Sequence, residues 1–176
     1  MKRLVFHIIS TRDTLDFKPI YEGLSSTKVI INPTKSDVIR ELTDNPGIDV
    51  IFIGHGDGRG LYNENLEEYC VDKDTVSLLK DRFVIGVWCL AAEFADIYNL
   101  HGFFTSDFIS NKEEFFDRFL TDNISDEEIT NYNKKFSCLL SNLIKNKVDP
   151  SLWVPSIQKE ANNPLERYNY EALSYF

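Results

Sequence analysis

Short apolar runs, rich in Val, Ile and Phe, recur through the first half of the chain. They cover residues 4–9, 28–31, 49–53 and 83–88, and a shorter run covers residues 102–108. A strand with one solvated face alternates apolar and polar side chains, whereas uninterrupted runs are typical of strands buried on both faces of a parallel sheet. The pattern therefore predicts four buried strands and a shorter fifth one.

Helical spacing of apolar residues marks three segments between these runs. A capping box of Thr34 and Asp37 predicts a helix that ends at the Asn-Pro-Gly sequence of residues 45–47. Residues 74–80 predict a weaker second helix, and an apolar stripe over residues 90–98 predicts a third. Each of these helices would connect one predicted strand to the next.

From residue 111 onward the pattern is helical. Asn111 with Glu114, and Ser125 with Glu128, have the chemistry of helix N-termini ahead of apolar stripes. Strands that alternate with helices predict an α/β fold, here a doubly wound, mostly parallel sheet with helices on both faces and a helical C-terminal region.

The chain has no internal repeat, low-complexity stretch or flexible linker. Its length of 176 residues is typical of one domain, and we predict a single domain over residues 1–176. Residues 1–110 would form the sheet, and residues 111–176 would complete the same domain with helices.

The chain is acidic, with 28 acidic against 19 basic residues and a formal charge of −9. Phosphate backbones and anionic lipid surfaces repel such a chain, so we expect neither nucleic acid nor a membrane as a partner. The apolar run near the N-terminus is short and lacks a cleavage site of small residues, which favours a strand over a signal peptide. Three cysteines are a sparse and odd set for a disulfide framework, so we expect a reducing compartment and a cytoplasmic protein.

Candidate chemistry lies where two of the predicted strands end. The third run leads into a glycine-rich segment, residues 54–60, that contains His55, and the fourth run leads into Cys89. Catalytic groups gather at the carboxyl ends of parallel strands, and neighbouring strands lie only about 5 Å apart. A thiolate is a strong nucleophile, and an adjacent imidazole accepts its proton and later protonates the leaving group. If the two strands are neighbours, His55 and Cys89 form a catalytic dyad.

Two local features favour the same chemistry. Gly56 leaves its backbone N–H open to an approaching carbonyl oxygen, as an oxyanion donor requires. Cys89 stands at the entrance of a predicted helix, where the positive end of the helix dipole is expected to lower the pKa of the thiol. The sequence thus predicts nucleophile, base and oxyanion donor together.

A hydrophobic strand ending in His-Gly, followed by one ending in Cys and small residues, resembles the caspase-like cysteine peptidases. This group contains caspases, legumains, gingipains, clostripain, separases and the bacterial CHAT domains, and the resemblance covers residues 1–110. It implies that His55 is the catalytic histidine, that Cys89 is the nucleophile, and that the N–H groups of Gly56 and Cys89 form the oxyanion hole. The expected function is that of a cysteine endopeptidase.

The chain departs from the true caspases in ways that bear on specificity. The two residues of the dyad are 34 positions apart, against about fifty in caspases, and the glutamine and glycine of the caspase signature are missing around Cys89. The layout is closer to the CHAT and clostripain-like members. Basic-specific relatives often carry an acid two residues before the cysteine, where this chain has Val87. Asp107, at the end of the fifth predicted strand, is the remaining candidate to hold a basic substrate side chain; the alternative is a turn aspartate.

Other functions remain open from the residues alone. The same fold is compatible with an inactive interaction module, and a flavodoxin-like binder would use the glycines of residues 54–60 as a phosphate cradle. His55 with Asp57 is a weak metal pair. We expect no cofactor and no resident metal; the expected partners are a peptide or protein substrate and a protein that controls activity.

The remaining histidines and cysteines have structural interpretations. We expect His7 to be a hydrogen-bonded core or edge residue and His101 to be a cap or surface residue. Cys138 is predicted to pack on a helix face, and Cys70 to lie in a polar loop.

Overall fold

A mostly parallel sheet forms the centre of the protein. The computed structural model describes residues 3–176; Met1 and Lys2, which open the predicted domain, lie outside them. The strands of the described residues are β1 (Arg3–His7), β2 (Thr27–Ile31), β3 (Asp49–Ile53), β4 (Gly56–Asp57), β5 (Gly60–Tyr62), β6 (Tyr69–Val71), β7 (Val84–Val87), β8 (Gly102–Thr105) and β9 (Leu173–Tyr175). The main sheet has the order β2-β1-β3-β7-β8-β9, in which only β9 is antiparallel. The predicted α/β fold class is confirmed.

Helices cover this sheet. They are α1 (Lys35–Asp44), α2 (Ala91–Tyr98), α3 (Lys112–Phe119), α4 (Asp126–Lys145), α5 (Trp153–Gln158) and α6 (Pro164–Glu171). The side chains of Thr34, Asn111 and Ser125 accept hydrogen bonds at the N-termini of α1, α3 and α4, as the sequence predicts. Within residues 3–176, no helix is long and apolar enough to cross a membrane.

The core divides between the two faces of the sheet because successive strand residues point in opposite directions. Leu4, Phe6 and Phe52 are buried on the side of α1 and α2. Val5 and Ile51 are buried on the other side, against α4, α5 and the 3-10 segment Asp13–Ile20. Both faces of the sheet are buried, which explains why the strand sequences are apolar without alternating polar residues.

Three predicted features differ in the structure. Residues 74–80 form only a 3-10 turn, Val76–Leu78, because the Thr75 hydroxyl bonds the backbone of Asp72 and so closes a turn ahead of a segment too short to repay helix nucleation. β2 is an edge strand with Val29 exposed, so the prediction that it is buried is wrong. The C-terminal region also ends in a strand, β9, whose three residues are too few to show a periodicity.

An antiparallel sheet of β4, β5 and β6 follows β3 directly and was not predicted. Leu61, Cys70 and Val71 bury one side of it in the same core cluster as residues of α1 and α2. Cys70 is fully buried in β6, so its prediction as a loop residue is wrong.

Arg82 ties the C-terminus of α1 to the loop that precedes β7. Arg82 is 6% exposed. Its guanidinium donates hydrogen bonds of 2.5–3.2 Å to the backbone oxygens of Leu42, Asn45, Ile48 and Leu78. One side chain thereby satisfies carbonyl groups that the end of a helix leaves without partners.

We expect Arg82→Met to lower the free energy of unfolding by about 2–4 kcal/mol, because the buried carbonyls lose a charged donor while the side-chain volume is kept. Urea denaturation measures the change. Arg40→Met is the control, since Arg40 is largely exposed and bonds only side chains of its own helix. Equal stability of the two variants would contradict this role of Arg82.

Candidate active site

The loops that carry the predicted site residues meet at one edge of the sheet. β3 pairs with β7 in parallel, with Ile53 opposite Val87, and β8 pairs with the other side of β7. The prediction that the strands before His55 and Cys89 are direct neighbours is therefore confirmed. Asp107 follows β8 and lies at the same edge.

His55 and Cys89 line a common cavity. The space is about 20 Å³, of the order of one water molecule, and Phe17, Trp88 and Phe108 also line it. Within residues 3–176, no hydrogen bond joins the His55 ring to the Cys89 thiol. The two side chains thus line one space that has room for about one water molecule.

The loop after β1 holds the His55 ring. The Nε2 atom of His55 lies 2.7 Å from the Thr11 hydroxyl and 3.5 Å from the Asp13 carboxylate. The Ser110 hydroxyl donates to the same Asp13 oxygen at 2.7 Å. These contacts leave Nδ1 as the ring nitrogen without a hydrogen-bond partner in the described part of the chain.

The charges of this cluster shift both titrating groups. The Asp13 carboxylate, 3.5 Å from Nε2, raises the pKa of His55 above its ordinary value, although burial opposes it. Burial alone would raise the pKa of Asp13, but the nearby His55 ring and Thr11 hydroxyl and the hydrogen bond from Ser110 outweigh it and hold that pKa well below the usual range. The favoured state is an imidazole that readily gains a proton beside an ionised carboxylate.

Sequence reasoning missed Thr11, Asp13 and Ser110. A signal was present, because Thr11-Arg12-Asp13 follows the first predicted strand, whose carboxyl end lies at the same edge as those of β3 and β7. No local pattern indicated Ser110, which lies 97 positions from Asp13 and reaches it only through the fold.

The Cys89 thiol is protonated in this arrangement. Its Sγ donates to the backbone oxygen of Phe108 at 3.4 Å. Burial raises the pKa of Cys89 to about 12, and the carboxylates of Glu114, Asp107 and Asp13 add to the effect. The expectation of a lowered pKa is wrong: Cys89 precedes the first residue of α2 by two positions, and desolvation with acidic neighbours outweighs the helix dipole.

Backbone N–H groups of both loops are open. The Tyr62 N–H donates to the His55 oxygen, so Gly56, opposite Leu61, belongs to the non-hydrogen-bonded pair and its N–H points away from β5. The Cys89 N–H has no acceptor within residues 3–176.

The backbone of Leu90, the next residue, is left-handed, with a φ of 63°. This strained turn leads into α2.

Trp88 fixes the β4–β5 hairpin against the cysteine loop. Its indole N–H donates to the Asp57 backbone oxygen at 3.2 Å. A Cβ at Gly56 would lie 2.2 Å from Cδ1 of the Trp88 ring and 2.4 Å from the Gly60 oxygen, so only glycine fits there. The glycine after His55 therefore serves close packing as well as an open N–H.

Asp107 and Cys89 line a second cavity of about 270 Å³, together with Glu114, Asp117 and Arg118. The Tyr168 hydroxyl of α6 donates to the Asp107 carboxylate. The Arg118 guanidinium lies over the Tyr168 ring, 4.6 Å from its centroid. The cavity next to the thiol is thus acidic, and its one cation is held against an aromatic face.

The glycine-rich segment does not have the geometry of a phosphate cradle, because it enters the β4–β5 hairpin instead of opening a helix. His55 and Asp57 belong to separate networks: Asp57 accepts from Arg59, Tyr62 and Tyr69. Within residues 3–176, no group of three or more His, Cys, Asp or Glu side chains has an arrangement suited to a metal ion.

The other histidines and cysteines lie away from this edge. His7 is a buried core residue, as predicted, bonded to the Tyr21 hydroxyl and the Thr14 backbone, and burial lowers its pKa to about 4. His101 is exposed and bonds the backbone of Phe176. Cys138 is exposed on α4, so its prediction as a packing residue is wrong: the apolar stripe of that helix turns Phe136 and Leu140 inward.

A scan against models of known protein families and a search of curated proteins both found no match to this chain.

The acidic neighbours of Cys89 can be tested separately from catalysis. Because a negative charge at Glu114 raises the pKa of the thiol, we expect Glu114→Gln to lower that pKa and to speed alkylation of Cys89 by iodoacetamide at a fixed pH. The rate is measured against pH by mass spectrometry of the labelled peptide. Glu113→Gln, an exposed change on the same helix, is the control. An unchanged pH profile in Glu114→Gln would contradict the assignment.

Proposed function

We propose that the protein is a cysteine endopeptidase in which Cys89 is the nucleophile and His55 the general base and acid. The observation that carries the proposal is the shared cavity of the two side chains at the carboxyl edge of paired strands. The N–H of Cys89, which has no acceptor within residues 3–176, supports it, as does the N–H of Gly56, which points away from β5. The resemblance to caspase-like peptidases agrees with this assignment of roles.

Each step of the proposed reaction is assigned to one group of the site. The Cys89 Sγ attacks the peptide carbonyl while its proton passes to Nδ1 of His55, the nitrogen left free by Thr11 and Asp13. The negative charge that develops on the carbonyl oxygen accepts hydrogen bonds from the N–H groups of Gly56 and Cys89. As the C–N bond breaks, His55 returns the proton to the leaving amine, and water then hydrolyses the thioester with His55 as base.

The raised pKa of Cys89 makes the base necessary. A thiol with a pKa of about 12 is almost fully protonated at neutral pH, so attack must be concerted with proton removal. An adjacent imidazole can accept this proton once a substrate enters. Removal of His55 therefore has a large expected effect.

We expect a thiol-reactive acyl probe to label Cys89, and His55→Ala to slow that labelling by about 10²- to 10⁴-fold, the usual contribution of a general base. The chain with His55 and the His55→Ala variant both carry Cys138→Ser, because the exposed Cys138 thiol would also react with the probe. Peptide mass spectrometry locates the label. His101→Ala is the control. Equal labelling of Cys89 with and without His55 would rule out the dyad.

The second candidate is an inactive interaction module of the same fold. The observation that favours it is the buried Cys89 thiol, bonded to the Phe108 oxygen and far from ionisation. A module of this kind would leave Cys89 unlabelled in the wild-type chain as well.

We also propose that the substrate carries a basic side chain before the scissile bond. The cavity beside Cys89 presents the carboxylates of Asp107, Glu114 and Asp117, and charge-assisted hydrogen bonds to arginine are strong and bidentate. Asp107 would exchange its Tyr168 partner for the substrate side chain, or bind that side chain with its second oxygen.

The free state of Cys70, Cys89 and Cys138 supports a reducing, cytoplasmic setting.

We expect a peptide library to be cleaved faster when Arg or Lys precedes the scissile bond, and Asp107→Asn to remove most of this preference mainly through KM. The preference is measured as the ratio of kcat/KM for matched Arg and Leu peptides. Asp96→Asn, an exposed change on α2, is the control. Equal cleavage of neutral and basic peptides by the wild-type protein would exclude this pocket as the specificity site.

A further inference from the structure

The loop between β1 and the first 3-10 segment is built around His55. Asp13 is the first residue of the segment Asp13–Ile20, and its side chain is 13% exposed. It faces His55 on one side and accepts from the Ser110 hydroxyl on the other. A carboxylate this far buried is costly unless charged or donor groups surround it, and here the imidazole and the Ser110 hydroxyl do so.

The loop itself is held from the core. The Thr14 hydroxyl donates to the Thr11 backbone oxygen at 2.8 Å, and Nε2 of His7 donates to the Thr14 backbone oxygen at 2.9 Å. His7 is fully buried in β1. The position of Asp13 is thus fixed by bonds that do not involve His55.

Asp13 also selects the tautomer of His55. An ionised carboxylate only accepts hydrogen bonds, so it favours the ring form with the proton on Nε2, which faces both Asp13 and Thr11. The lone pair is then on Nδ1. That nitrogen is the one that must take the thiol proton if the ring is to remain in place.

We propose that Asp13 is the positioning residue of His55, so that the site is a Cys89–His55–Asp13 arrangement in which Thr11 bonds the ring and Ser110 bonds the carboxylate. The inference rests on the proposed function, since it assigns Asp13 a role in the same reaction. In the step of attack the ring becomes an imidazolium, and the negative charge of Asp13 stabilises it.

The charged groups that face His55 are few. Asp13 is the nearest, and Glu114 of α3 adds a weaker effect in the same direction. Cys89 lines the same cavity and is neutral at neutral pH. Replacement of Asp13 is therefore expected to dominate any change in the titration of the ring.

The test uses Asp13→Asn and a matched control, Asp16→Asn. Asp16 lies on the same 3-10 segment and is similarly buried, but it faces Lys134 and α4. NMR titration of the imidazole resonances reads the pKa of His55, and His55→Ala assigns the signal among the three histidines. Asp13 raises this pKa, so we expect Asp13→Asn to lower it and Asp16→Asn to leave it unchanged.

A kinetic readout separates positioning from a structural role. The rate of Cys89 labelling by the acyl probe is measured against pH; we expect Asp13→Asn to slow its maximum by at least about 10-fold and to move its acid limb to lower pH. If Asp13 had only a structural role, Asp13→Asn would lower the stability of the protein and leave the acid limb of the pH–rate profile unchanged. Asp13→Ala, which removes the carboxylate altogether, is the second variant and should lower the pKa of His55 in the same way.

The outcomes distinguish this inference from the proposed function. If the pKa of His55 is the same in the wild type and in Asp13→Asn, the inference is overturned even where Cys89 labelling depends on His55. If labelling is independent of His55 while the pKa shifts as expected, the endopeptidase proposal fails and the contact between Asp13 and His55 is only electrostatic. If Asp13→Asn does not fold, an unshifted pKa of His55 in Asp13→Ala overturns the inference.

Discussion

The pairing of β3 with β7 is the contact on which the arrangement of the site depends. The two strands run in the same direction and in register, so the chain leaves both at the same edge, and β1 and β8 bring their own loops to it from either side. A reversal of either strand would carry His55 and Cys89 to opposite ends of the sheet. Apolar burial on both faces keeps the strands in this register, because a slip by one residue would exchange the sets of side chains on the two faces.

The parts of the structure that sequence reasoning predicted are those that local patterns encode. The uninterrupted runs located β1, β3 and β7, and the side-chain chemistry of Thr34, Asn111 and Ser125 located the starts of three helices. Neighbouring strands then followed from the need for a shared edge. Each of these inferences uses residues close together in the chain.

The parts it missed depend on contacts between distant residues. Asp13 meets Ser110 across 97 positions, and Asp107 meets Tyr168 across 61. β9 pairs with β8 although α3, α4, α5 and α6 separate the two strands in the chain. The thiol of Cys89 was misjudged for the same reason: the helix dipole is local and visible in the sequence, whereas the burial and the acids that outweigh it come from α3 and from the loops after β1 and β8. Long-range contacts decide the electrostatics of the site.

Trp88 makes the hairpin and the cysteine loop one mechanical unit. Its ring occupies the space that a Cβ at Gly56 would need, and its N–H holds the Asp57 backbone. A displacement of Gly56 would therefore also displace Trp88 and the neighbouring Cys89. Substitutions or insertions that change the distance between the two loops would disturb both loops. Variation in length is better tolerated at the exposed turn over residues 63–68, on the far side of the hairpin. The Trp88 ring thus constrains the part of the hairpin that it contacts, whereas the turn over residues 63–68 can vary in sequence and length.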